Sequence, residues 1–203
     1  MGIPVITLDT DEPGSSRLVY VGTDNYKAGR QMGELIVQAS GGQGHIGVLI
    51  GDEQAPNQQH RLEGFRSVIS HHPGLTIAEV RSSHISRLQA ASQTEEMLLR
   101  HSQIRYLVGF SALDGLGMLE GVKRVPEQEL HIFAFDDLEE TIDGIAQGKI
   151  KASIVQQPYE MGYAAVLLLQ DYFDGKALPE HRFTSAYMLD QSTVHEASGA
   201  DGP

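Results

Sequence analysis

Short apolar runs and amphipathic stretches alternate along almost the whole chain. The apolar runs are Ile3–Leu8, Leu18–Val21, His45–Ile50, Thr76–Val80, Arg105–Gly109, His131–Phe135 and Ile150–Val155. Most are near-continuous rather than strictly alternating, which predicts parallel strands covered on both faces. Between most of them apolar residues return at i, i+3, i+4, the spacing of one helix face. Tyr26–Ala39 gathers Ala28, Met32, Leu35, Ile36 and Ala39 on one face, and Arg61–Ser70 gathers Leu62, Phe65 and Ile69. Leu88–Arg100 holds Ala91, Leu98 and Leu99, and Gly115–Arg124 holds Leu116, Leu119 and Val122. Leu138–Gln147 holds Thr141, Ile142 and Ile145, and Met161–Phe173 holds Ala164, Ala165, Leu167, Leu168 and Phe173.

The punctuation agrees with this division. Gly41, Gly42 and Gly44 separate a helix from the run at His45, and Pro73-Gly74 does the same before Thr76. Gly148 and Gly175 stand where a left-handed residue would end a helix. Strand and helix in alternation, with right-handed crossovers, predict an α/β fold with doubly wound parallel sheets. The closing EASGADGP, residues 196–203, is small and polar and reads as a disordered tail. Neither an internal sequence repeat nor a low-complexity tract is legible.

Composition narrows the function classes. The 203 residues carry 15 Lys and Arg against 27 Asp and Glu, a formal charge of −12. That balance is poor for phosphate-backbone binding, so nucleic acid is not an expected partner. There is no cysteine, which excludes disulfides, thiolate catalysis and Cys-ligated zinc. No apolar run approaches the ~18 residues of a membrane span. No N-terminal stretch combines a basic start, an apolar segment and a small-residue cleavage site.

In open parallel sheets ligands bind at the carboxyl ends of the strands. The predicted strands deliver there Asp9, Thr10 and Asp11; Thr23, Asp24 and Asn25; Asp52 and Glu53; Ser111; Phe135, Asp136 and Asp137; and Gln156 and Gln157. Acceptors and amides recur, and carboxylates accept hydrogen bonds from hydroxyls with charge assistance. Helix capping competes with this reading. Asp24 is expected to cap the helix near Tyr26, and Asp137 the one at Leu138. Asp9 and Asp136 follow their apolar runs directly and fit capping less well. Arg61 divides between a surface arginine paired with Glu63 or Asp52 and a guanidinium fork for hydroxyls or a carboxylate near Asp9 and Asp136.

Catalytic and metal readings find little support. Neither G-x-G-x-x-G nor G-x-x-x-x-G-K-[ST] occurs, nor a G-x-S-x-G elbow. None of the 9 histidines forms H-x-x-x-H, and His71-His72 sit at a helix end where capping suffices. Adjacent Asp136 and Asp137 would point to opposite faces of an extended backbone and do not suit a glycosidase pair. The acids of DDLEETID fit a helix N-terminus favoured by the dipole. No enzyme activity, cofactor or metal is expected, with an enzyme on a doubly wound sheet as the remaining alternative.

IPVITLD, VGTDNYKAGRQMGELI, RLEGFRSVI, IFAFDD, GIAQGKIKASIVQQPYEMGYAAV and DQSTV, in this order and spacing, resemble the periplasmic sugar-binding proteins of the ribose-binding type. The type I periplasmic-binding-protein fold is shared with effector domains of the lactose-repressor family. The resemblance runs from Ile3 to Val194. It implies two lobes joined by three crossovers and closing on a monosaccharide or polyol. A transporter permease or a sensor would read the closed form, in the periplasm or outside the cell. An effector domain of a lactose-repressor-type regulator is the alternative within the fold.

The resemblance also assigns residues. Asp9 matches the aspartate after the IPV strand, with Thr10 beside it. Thr23 matches the small hydroxyl residue of the first crossover. Arg61 matches the arginine before the phenylalanine of EGF, which turns the earlier balance toward a ligand role. Phe135 and Asp136 match the aromatic and acid of the family's GFD, and Gln156 the glutamine of the second crossover. Ser111-Ala112 stands where the family has Asn-Asp, and AFDD replaces GFDG. The family carries about three strand–helix units before its IPV strand. Residues 1–24 and 158–195 are therefore expected to form a partial N-terminal lobe with crossovers, and residues 25–157 a complete C-terminal lobe. A sheet edge left open in the partial lobe would invite self-association.

Overall fold

The computed structural model of the chain describes residues 2–194. In order the elements are β1 (Ile6–Leu8), β2 (Val19–Thr23), α1 (Asn25–Ser40), β3 (Gly44–Ile50), α2 (Pro56–Ile69), β4 (Leu75–Ser82), α3 (Arg87–Arg100) and β5 (Ile104–Gly109). Then come α4 (Asp114–Gly121), a 3-10 turn at Val122–Arg124, β6 (His131–Phe135), α5 (Glu139–Ala146), β7 (Ala152–Val155), α6 (Pro158–Phe173), β8 (His181–Thr184) and β9 (Tyr187–Asp190). Every helix and strand anticipated from the pattern is present, with ends shifted by a few residues.

The strands form two sheets. The smaller is β1-β2-β8, parallel throughout, and the larger is β4-β3-β5-β6-β7-β9. On the larger sheet α1 and α2 bury Met32, Ile36, Phe65 and Ile69 against Val108, Phe133 and Ile154. The opposite face packs Met97, Met118 and Ile145, from α3, α4 and α5, against Leu107, Ile132 and Val155. Coverage on both faces explains the unbroken apolar runs. In the smaller lobe Val19 and Val21 of β2 pack under Met161, Ala165 and Leu168 of α6. The chain passes between lobes after β2, after β7 and between β8 and β9, so Thr23, Gln156 and Ser185 mark three crossovers.

Four expectations need correction. β8 and β9 are absent from the pattern reading, because HRFT and YMLD are short and bury little apart from Leu189. β9 pairs antiparallel with β7, so the larger sheet has one antiparallel edge, and residues 158–195 do not stay in the smaller lobe. Leu99 at 63% and Phe173 at 73% exposure leave the faces assigned to them, since each helix finds a packing partner on one side only. Asp24 does cap α1, accepting from the Lys27 N–H at 3.0 Å, but the N-cap position of α5 is Leu138, with no side-chain cap. Asp137 instead faces Tyr187 of β9, whose hydroxyl is raised by burial and by the Asp137 charge and hydrogen bond. The tail 196–203 lies outside the described residues.

The structure contains a repeat that the sequence conceals. β1, β2 and α1 correspond to β6, β7 and α6. The two helices are each 16 residues long and open NYKAG and PYEMG. Little besides the tyrosine and glycine survives in sequence, because α1 packs on the larger lobe and α6 on the smaller.

Candidate functional site

Arg61 organises the junction between the lobes. It lies on the first turns of α2, after β3, and is 2% exposed. Nε donates to Asn25 Oδ1 at 2.8 Å, Nη1 to the Phe110 carbonyl at 2.7 Å and Nη2 to Gln156 Oε1 at 2.8 Å. Its guanidinium carbon sits 3.9 Å from the centre of the Phe135 ring, a cation–π stack in a dry environment. Burial lowers the Arg61 pKa, while Asp136 and Asp9 act to raise it. A guanidinium stays charged in any such setting. Pairing with Glu63 or Asp52 is not what the structure contains.

Gln156 is the junction's connector. Its Oε1 accepts from Arg61 and from the Thr23 hydroxyl, the latter at 3.0 Å, and its Nε2 donates to Asp136 Oδ1 at 3.0 Å. One amide thus ties the first crossover to the second, and an arginine to an aspartate. Arg61 and Asp136 are joined through this amide rather than in direct contact. Burial raises the Asp136 pKa, offset in part by Gln156 and the Arg61 charge, with Asp9 adding to the rise. The Ser153 hydroxyl fixes the Asp136 carbonyl at 2.6 Å.

Asp9 lies across from Asp136 at the tip of β1, its side chain exposed. The Tyr20 hydroxyl donates to the Asp9 carbonyl at 2.8 Å, and burial with the Asp9 charge pushes Tyr20 up to about 12. Thr10 turns back through its N–H to the Leu8 carbonyl, at 2.7 Å, and among the described residues its hydroxyl bonds none of the other candidates. Ser111 is 6% exposed, with its Oγ buried beside Asp114. The β5–α4 turn below it is held by Asp114, whose Oδ2 accepts the N–H groups of Phe110 at 3.1 Å and Ser111 at 2.9 Å. Burial raises the Asp114 pKa, and the Ser83 and Ser111 hydroxyls, followed by these N–H donors, counter it.

Strain marks the same edge. The four non-glycine residues with positive φ among the described residues are Asp9 (64°), His84 (50°), Ile85 (53°) and Asp136 (64°). All lie just past the carboxyl ends of β1, β4 and β6. A β-branched residue in this region costs energy, and such outliers collect at functional sites. Ile85 is held there by its N–H to the Gly51 carbonyl at 3.1 Å, and is 59% exposed. Sequence reading missed Ile85, Asn25 as a partner of Arg61, and Asp114 as a clamp. Only the last had a signal, an acid three residues after a strand-end serine. Beside the network lies a cavity of about 180 Å³ bordered by Tyr20, Thr23, Asn25, Asn57, His60 and Phe183. Among the described residues no cluster of His, Asp or Glu could hold a metal ion. The arrangement offers a hydroxyl-rich molecule several fixed acceptors and amides around one buried cation.

Comparison with known proteins points the same way. The model of the periplasmic binding protein domain matches residues 1–177. The ribose import binding protein of Haemophilus influenzae is 26% identical over 86% of this chain, and the match spans 59% of that protein's length. A D-apiose import binding protein of Paraburkholderia graminis is 24% identical over 76% of the chain and spans 50% of that protein. The glucose-galactose binding protein GanP of Geobacillus stearothermophilus superposes with a TM-score of 0.89 at 38% identity, covering 94% of this chain and 68% of that one. The XylFII–LytSN complex gives 0.86 at 37%, again over 94% of this chain and 68% of that one.

Proposed function

The chain belongs to the periplasmic binding protein domain family, and from that premise we propose that it binds a monosaccharide or polyol as the substrate-binding component of a sugar import system. Members of this family are binding proteins rather than enzymes, and the same is proposed here. One observation carries the reading: Thr23, Arg61, Asp136 and Gln156 form a single hydrogen-bonded network across two crossovers. Planar acids and amides each take a pair of sugar hydroxyls, and the buried guanidinium balances their charge. Asp9 comes from the smaller lobe and Ser111, Phe135 and Asp136 from the larger. A sugar contacting both favours the closed state by the contacts that only closure makes.

A permease or a sensor would read that closed state, at a periplasmic or extracellular location. The sensor variant has its own support, since one similar structure is a binding protein in complex with LytSN. The named import proteins favour import over the regulator alternative.

Isothermal titration with ribose, arabinose, xylose, apiose, glucose and galactose tests the proposal. Saturable heat with at least one of them, lost in Asp136→Asn, is the expected result. Absence of heat with all six at millimolar concentration overturns it.

A further inference from the structure

Asn25 stands where two demands meet. It is the first residue of α1 and is 7% exposed. An arginine only donates and a carbonyl only accepts, so its neighbours fix which way the amide faces. Oδ1 accepts from Arg61 Nε, and Nδ2 donates to the Thr23 carbonyl at 3.1 Å and to the Tyr20 hydroxyl at 3.4 Å. The opening turn of a helix favours an acid. An aspartate here would satisfy Arg61, but it would set a carboxylate oxygen against the Thr23 carbonyl and neutralise the guanidinium. The amide holds Arg61 and leaves its charge to the cleft.

Tyr20 continues the line into the smaller lobe. It lies on β2, is 4% exposed and donates its hydroxyl proton to the Asp9 carbonyl. Burial and the Asp9 charge push its pKa up to about 12, which keeps that proton in place. A Cβ on Gly22 would lie 2.2 Å from the Tyr20 hydroxyl, so the glycine is what lets the ring fold back along the strand toward Asn25.

We propose that Tyr20 and Asn25 are positioning residues for the sugar site: a buried relay from the Asp9 carbonyl through Tyr20 and Asn25 sets the Arg61 guanidinium of the larger lobe against the aspartate turn of the smaller. This role rests on the sugar-binding reading. The relay runs beside the Thr23–Gln156 bond, and both end on Arg61, Asn25 at Nε and Gln156 at Nη2. With Nη1 on the Phe110 carbonyl, three of the five guanidinium N–H groups are committed, and they aim the remaining two. A shift of the Asp9 turn therefore changes how those two are presented, without Tyr20 or Asn25 touching the ligand.

Nitrogen-15 NMR of the full chain tests the relay without any ligand. The readout is proton exchange at Arg61 Nε–H, a resonance identified by its loss in Arg61→Lys. Tyr20→Phe removes only the hydroxyl and is expected to speed that exchange about 5-fold, the equivalent of one neutral hydrogen bond. In an Asn25→Asp background, which keeps the acceptor for Nε and has no donor for Tyr20, the same removal should change nothing. Met32→Ala loosens the core under α1 and is the control for general destabilisation. Titration calorimetry should show sugar affinity lower by about 5-fold in Tyr20→Phe and about 10-fold or more in Asn25→Ala, which strands the Arg61 Nε–H. The proposal is overturned by exchange that Tyr20→Phe leaves unchanged, by exchange that Met32→Ala speeds as much, or by full sugar affinity in both variants. Should the wild-type chain take up none of the sugars, the proposed function fails while the exchange still decides the relay.

Discussion

Asp9 and Asp136 occupy equivalent places in the two lobes. Each follows the last residue of a strand, at φ 64°. Each sends its N–H to the neighbouring strand, Asp9 to the Val21 carbonyl at 3.0 Å and Asp136 to that of Ile154 at 2.8 Å. In each case a side chain from that neighbouring strand, Tyr20 or Ser153, holds the aspartate's carbonyl. The left-handed turn lifts the carboxylate off the end of the sheet, where a helix cap would have drawn it back. Two carboxylates presented from opposing lobes, with Arg61 between them in charge, are a geometry suited to a molecule held on both sides.

Arg61 should be the most sensitive position. Arg61→Ala leaves Asn25 Oδ1 and the Phe110 carbonyl without their donor and removes one of two donors to Gln156 Oε1, and truncating a buried, hydrogen-bonded charge costs ~2–5 kcal/mol. Titration calorimetry should record a sugar affinity lower by at least about 30-fold, the conversion of the smaller figure. Arg61→Lys restores the charge but not the three-way fork and should recover only part of the loss.

Sugar affinity should weaken in mild acid. Burial holds the Asp136 pKa above the ordinary 3.8, and only the carboxylate accepts hydroxyl protons at both oxygens. Affinity is therefore full at neutral pH and falls as the pH drops through the raised pKa, earlier than for an exposed aspartate. Asp136→Asn should remove that acid limb at a lower overall affinity, as titrations from pH 7 to 4 would record. Folding stability carries the opposite sign for this group. The native state binds the proton more tightly than the unfolded chain, so its contribution grows as the pH falls through the folded pKa.

Asp114 offers a second titration with a purely structural readout. Its burial also raises the pKa, so its contribution to stability likewise increases as the pH falls through that value. Asp114→Ala strands the N–H groups of Phe110 and Ser111 and should cost ~2–4 kcal/mol, from two unmade buried hydrogen bonds. Asp114→Asn retains an acceptor and should cost less while removing the pH dependence. Urea denaturation at pH 5 and 8 distinguishes these outcomes.

The paired glycines give a contrast within one molecule. Gly29→Ala drives a Cβ to 1.9 Å from a backbone oxygen, and forcing helices apart should cost about 3 kcal/mol or more, beyond ordinary overpacking. Gly162→Ala meets open space and should raise stability by ~0.5–1 kcal/mol through helix propensity. Thermal unfolding of the two variants should move in opposite directions.

Much of the fold was legible because its causes are local. Ile46, Val48 and Ile50 are apolar in succession because both faces of their sheet are covered, and Met32 and Ile36 recur at helical spacing because one side of α1 meets that sheet. Candidate ligand residues were legible in part for a related reason: in a parallel sheet the carboxyl ends lie on one edge, so position along each strand locates Asp9, Asp136 and Gln156 together. Ile85 gave no such signal, since its left-handed turn is held by the carbonyl of Gly51, just past the end of β3. β8 and β9 were hidden because each makes its case through pairing, with one buried apolar residue between them.

The sequence by itself determined the alternation of strand and helix, the covered character of the strands and the edge at which polar groups collect, all of which follow from short-range periodicity and burial. Only the tertiary structure decided that Gln156 stands between Arg61 and Asp136, that β9 returns antiparallel to the larger sheet, and that α1 and α6 are counterparts. Those depend on which distant segments meet, and hydrogen-bond direction and helix crossing are set by that meeting rather than by any neighbour along the chain.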